Sequence, residues 1–65
     1  MPAEAETELR ELVHALRTPL TIVEGFADAL AERGERMNAD ERTEYLERIG
    51  EAAREMRDLL DRSRR

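Results

Sequence analysis

Apolar residues recur along the first half of the chain at spacings of three and four: Leu9, Leu12, Leu16, Leu20, Val23, Ala27 and Leu30. That period is the stripe of an amphipathic helix, and it predicts one over residues 3–33. The step from Leu16 to Leu20 repeats a spacing of four, a small break in the heptad rhythm that falls at Pro19. Gly34 is a helix stop, and Asn38 with Glu41 three residues on makes a capping box that opens the next helix. This second helix is predicted over 39–62. Its stripe is Leu46, Ile49, Ala53, Met56 and Leu60, with Tyr45, Ala52 and Leu59 beside it. A turn of only 34–38 between two long helices makes them antiparallel neighbours. The fold class is therefore all-α, an antiparallel two-helix hairpin.

Two helices cover only part of each other, so one hairpin leaves much of each stripe in water. Pairing two hairpins into a four-helix bundle closes the core, which predicts a symmetric homodimer. The chain length points the same way. Its 65 residues allow a single small domain, 1–65. A core of that size rarely supplies more than ~3–5 kcal/mol without a disulfide, a metal or self-association. There is no cysteine, which excludes disulfides and thiolate metal sites. Phe26 and Tyr45 are the only aromatic residues, so Leu, Ile, Val, Met and Ala must do the packing. The ending Arg62-Ser63-Arg64-Arg65 reads as a cut end, so the chain is expected to be a fragment of a larger protein.

Charge narrows the partners. The 16 acidic and 11 basic side chains give a net charge of -5 and alternate along the helices, the pattern of solvated faces. An acidic balance argues against nucleic acid, whose phosphates call for a basic patch. No stretch approaches the ~20 apolar residues of a membrane span, and no signal peptide is visible. The segment is expected to be cytoplasmic and to make no membrane contact, whether or not a parent protein is membrane-anchored.

The chemistry concentrates in His14-Ala15-Leu16-Arg17-Thr18-Pro19-Leu20. Pro19 lies inside a helical pattern, where it removes the hydrogen bond to the Ala15 carbonyl and tends to kink the helix at a cost of ~3 kcal/mol. His14 faces away from the stripe. With His14 at zero, Leu12 lies at about 160°, Val23 at about 180° and Leu16 at about 200° around the helix. Thr18, Thr21, Gly25, Asp28, Ala29 and Glu32 follow on the histidine face. Gly25 and Ala29 are small enough to let another protein's backbone approach. An exposed imidazole beside a hydroxyl, above a smooth helical surface, suits a group that reacts with incoming macromolecules. Glu11-Leu12-Val13-His14 also has the Glu-x-x-His spacing of di-metal bundles. That site needs several inward-facing ligands, whereas His14 faces out and is the single histidine.

The stretch resembles the H-box of bacterial two-component sensor histidine kinases, whose usual form is His-Glu/Asp-Leu-Arg-Thr-Pro-Leu. Six of its seven positions are matched by His14, Leu16, Arg17, Thr18, Pro19 and Leu20. Thr21-Ile22 and the helix through Leu30 are similar to the rest of the family's first helix. Met56 to Arg64 resembles the end of its second helix, where Asp-Leu-Leu-Asp-x-Ser-Arg is common. The likeness spans nearly the whole chain and identifies a dimerisation and histidine-phosphotransfer domain. It implies that His14 accepts the γ-phosphoryl group of ATP and passes it to an aspartate on a response-regulator receiver domain. Thr18 matches the residue that orients water when such kinases act as phosphatases. Arg17 and Pro19 match positions tied to anion placement and helix bending, and Thr21, Gly25 and Ala29 are the expected docking residues. ATP and Mg²⁺ are expected on a separate catalytic domain, acting in cis or in trans. The domain itself is expected to hold no cofactor and no metal, since the chain has no Gly-rich phosphate loop.

One position departs from the family pattern. The residue after the histidine is usually an acid taken as the general base, and here it is Ala15. General-base assistance is worth ~10²–10⁴-fold, so autophosphorylation is expected to be slower, and phosphatase activity is thrown into doubt. Either Glu11, one turn before His14, substitutes poorly, or the chain is a variant specialised for transfer or regulation. The alternatives are a degenerate docking and dimerisation module and a plain dimerising coiled coil.

Overall fold

The computed structural model describes residues 2–63. Helix α1 runs Pro2–Arg33, a 3₁₀ turn covers Gly34–Arg36, and helix α2 runs Ala39–Arg62. The two helices lie against each other as a hairpin, and there is no strand among the described residues. Arg64 and Arg65, which carried the reading of a cut end, lie outside the described residues.

Each boundary has a local cause. At the start of α2 the Asn38 side chain accepts from the Glu41 amide at 2.8 Å, and the Glu41 carboxylate accepts from the Asn38 amide at 3.3 Å. This reciprocal pair satisfies two amides that the first turn of a helix leaves without partners. The end of α1 is closed differently from what a helix-terminal glycine suggests. No described residue has a positive φ, so Gly34 takes no left-handed conformation. Instead, the Met37 amide donates to the Arg33 and Gly34 carbonyls. The Arg42 guanidinium reaches back from α2 and donates to the Gly34 carbonyl at 3.0 Å and the Met37 carbonyl at 2.8 Å. A side chain eight residues away thus clamps the turn, and Met37 is buried beneath it.

The helix–helix register is pinned by the two aromatic residues. The Phe26 and Tyr45 rings meet edge-on, with centroids 4.8 Å apart. Each is half-buried. One heptad away along both antiparallel helices, Pro19 comes level with Ala52, and a second heptad brings Leu12 level with Leu59. At the same end Glu8 lies beside Leu59, Arg62 and Ser63, as that register requires. Pro19 is fully buried and Ala52 is 5% exposed. A small residue on α2 opposite the proline ring is what allows the helices to approach there. Helix α1 continues through Pro19 without interruption. The ring supplies buried apolar surface in place of the hydrogen bond its missing amide removes.

The contact face differs from the predicted stripes. On α1 the residues turned to α2 include Ala15, Pro19, Phe26 and Ala29 together with Leu12, Leu16, Val23 and Leu30. Leu9, Leu20 and Ala27, assigned to the stripe, are exposed. On α2 the positions taken as flanking, Tyr45, Ala52 and Leu59, pack with Ile49 and Met56, while Leu46, Ala53 and Leu60 face out. The physical reason is that each helix carries two adjacent apolar stripes, and periodicity alone merges them. One stripe on each helix closes the hairpin. The other remains open, with Leu9 61%, Leu46 58% and Leu20 44% exposed. The molecule measures 53 × 18 × 10 Å, so it is one helix thick and cannot enclose both. No helix among the described residues is long and apolar enough to cross a membrane.

Candidate functional site

The segment 14–20 occupies the middle of α1, and its helical spacing divides it between two faces. His14 and Thr18, four residues apart, stand exposed on one. Ala15 and Pro19, also four apart and about 100° further round, turn toward α2, the first half-buried and the second fully buried. Arg17, Thr21 and Gly25 are exposed, and Ala29 is half-buried. Buried and exposed residues therefore alternate along one short stretch, so packing at Pro19 fixes the height and rotation at which His14 is presented.

Among the described residues, His14, Arg17 and Thr18 make no side-chain hydrogen bond and no ion pair. The contrast with Thr7 is informative. Its hydroxyl turns inward and donates to the Ala3 carbonyl at 2.9 Å, the usual resting arrangement for a helical threonine. The Thr18 hydroxyl makes no such bond and stays available beside the imidazole. Pro19 leaves the Ala15 carbonyl without its helical donor at the same level. The site thus presents an imidazole, a free hydroxyl and a free guanidinium on one solvent-facing patch.

Toward the turn, a shallow open depression crosses from α1 to α2. It is lined by Thr21, Ile22, Gly25, Phe26, Ala29 and Arg33 of α1 and by Tyr45 of α2. A Cβ at Gly25 would meet nothing within 4 Å, so the hairpin itself does not need a glycine there. Spacing alone sets Thr21, Gly25 and Ala29 on one face of α1, but it does not bring Phe26 and Tyr45 beside them. Tyr45 enters only through the antiparallel register, though the fact that the chain has one Phe and one Tyr, both near the turn, was an available hint. Arg42 was missed as well, since a solvated arginine and a turn clamp look alike in sequence.

Chain, motif and hairpin coincide in the comparison with known families. The model of the His Kinase A (phospho-acceptor) domain matches residues 5–65. The chain belongs to that family. Its members are phospho-acceptor and dimerisation domains of histidine kinases in two-component signalling. The match takes in both helices of this His Kinase A domain and is not confined to the seven residues around His14. No curated protein and no solved structure matches the chain.

Proposed function

We propose that this His Kinase A domain dimerises as a four-helix bundle, takes the γ-phosphoryl group of ATP on His14 and passes it to a response-regulator aspartate. The observation that carries the reading is that His14 is exposed and unpartnered on the face of α1 turned away from α2. In the first step an imidazole nitrogen forms a bond to the γ-phosphorus. The bond from that phosphorus to the bridging oxygen breaks, ADP leaves, and the ring sheds a proton. In the second step a receiver carboxylate attacks the same phosphorus, and the imidazole leaves with its proton restored. ATP and Mg²⁺ are presented by a catalytic domain in cis or in trans, which places the reaction in the cytoplasm.

The other residues take supporting roles. Arg17 offers a guanidinium to the phosphoryl oxygens, and Thr18 offers its hydroxyl to the water molecule that, in the separate phosphatase reaction, attacks the regulator's aspartyl phosphate and releases inorganic phosphate. Pro19 holds the site at its height on α2. The receiver docks against the depression that Thr21, Gly25 and Ala29 help to line. The open stripe of Leu9, Leu20, Leu46 and Leu60 is covered by a second copy of the chain, which completes the core.

A second reading is favoured by Ala15, which places a methyl group where a proton acceptor usually stands: a docking module with its chemistry switched off. Both are tested by supplying a histidine-kinase catalytic domain and Mg-ATP to the chain as it is, to Ala15→Glu and to His14→Gln. Acid-labile label in the unaltered chain, absent from His14→Gln and formed faster in Ala15→Glu, is the expected result. Label confined to Ala15→Glu would establish the docking module instead. No label in any of the three, with a control domain labelled in parallel, would leave a dimerisation hairpin only.

A further inference from the structure

The carboxylate missing at position 15 directs attention to what else surrounds His14. Four side chains stand one helical turn from it, Arg10 and Glu11 before and Arg17 and Thr18 after. Glu11 alone among them carries a carboxylate. Side chains on a helix tilt toward its N-terminus, so the imidazole overlies the turn that holds Arg10 and Glu11. Around the helix, Glu11 and Thr18 lie at about 60° and 40° to one side of His14, and Arg10 and Arg17 at about 40° and 60° to the other. Glu11 is exposed and, among the described residues, engaged in no ion pair. Residues three apart on a helix have Cβ atoms about 5–6 Å apart, a gap that a glutamate and an imidazole bridge with one hydrogen bond.

We propose that Glu11 is a catalytic residue of this domain, the proton acceptor for His14 in place of the side chain that Ala15 lacks; the inference rests on the phosphoacceptor reading above. The two side chains are unpaired in the structure; in the reacting arrangement the Glu11 carboxylate swings over to accept a hydrogen bond from the ring N–H. This fixes the tautomer and turns the opposite, unprotonated nitrogen outward. As that nitrogen bonds to phosphorus and the leaving group departs with its electron pair, the ring becomes positively charged, and its N–H proton passes to Glu11. The proton returns when the imidazole later leaves. Arg10 and Arg17, on the far side of the ring, face the phosphoryl oxygens. The dianion and the carboxylate are thereby kept on opposite flanks of His14.

The test uses phosphoramidate, a small phosphoryl donor that needs no catalytic domain, with the rate of phosphohistidine formation followed by phosphorus NMR. The unaltered chain, Glu11→Gln, Glu11→Gln with Ala15→Glu, and His14→Gln are compared. Because Glu11 is exposed, Glu11→Gln is expected to keep the helicity of the unaltered chain by circular dichroism. The expected result is a rate lower by about tenfold or more in Glu11→Gln, recovered when Ala15→Glu restores a carboxylate beside the ring. An unchanged rate in Glu11→Gln would overturn the role of Glu11 and leave His14 as phosphoacceptor. A slow Glu11→Gln that Ala15→Glu does not rescue would overturn it too, since a proton acceptor is replaceable and a merely structural contact is not. No phosphohistidine in the unaltered chain would remove the phosphoacceptor reading and this proposal together.

Discussion

Gly25 shows how a single residue can be at odds with its element and still belong to its surface. A glycine within a helix costs ~1 kcal/mol relative to alanine, and here no neighbour forbids a methyl group. Gly25→Ala should therefore raise the stability of the domain by about 1 kcal/mol, read as a higher urea midpoint with an unchanged slope. If the depression beside Tyr45 receives the regulator, the same variant should slow transfer from His14 to a receiver while leaving its labelling untouched. A stabilised variant with unimpaired transfer would remove Gly25 from the docking surface. His14, Arg17, Thr18, Thr21, Gly25 and Ala29 were all legible as candidates, because angle around a helix follows from spacing alone. Arg42 and Tyr45 were not, because what they touch is set by residues far from them in sequence.

At the scale of the element, α1 holds a proline that local propensity disfavours. Its reward is tertiary: Pro19 is the most thoroughly buried side chain among the described residues, facing the small Ala52. Replacing it with alanine restores a helical amide, worth ~3 kcal/mol by propensity, and removes two buried methylenes, worth ~0.8 kcal/mol each. The balance predicts that Pro19→Ala stabilises the hairpin by about 1 kcal/mol, seen as a higher melting temperature by circular dichroism. The same substitution closes the free carbonyl of Ala15 and alters the seat from which His14 is presented. A drop in melting temperature would show that packing against α2 outweighs the helix-breaking cost. The start of α2 was legible for the opposite reason, since a capping box is a purely local device. The end of α1 was legible in place but not in kind: Arg42, rather than a left-handed glycine, closes it.

The whole molecule is one helix thick and carries one apolar stripe too many for a solitary hairpin. In an isolated hairpin, exchanging an exposed leucine for a charge is close to neutral. In a dimer it places a charge in the core and costs several kcal/mol. Leu20→Glu and Leu46→Glu should therefore convert the domain to monomer in sedimentation equilibrium and abolish any dependence of the melting temperature on concentration. Unaltered association in both variants would mean that another surface joins the copies. Two long helices, their short turn, their antiparallel packing and the outward histidine were determined by the sequence by itself, because each depends on period, capping or spacing within one element. Which of two adjacent stripes closes the hairpin, which leucines remain for a partner and which aromatic rings line the depression depended on the rotation and register of α1 against α2. Those are properties of two surfaces meeting, and only the tertiary structure decided them.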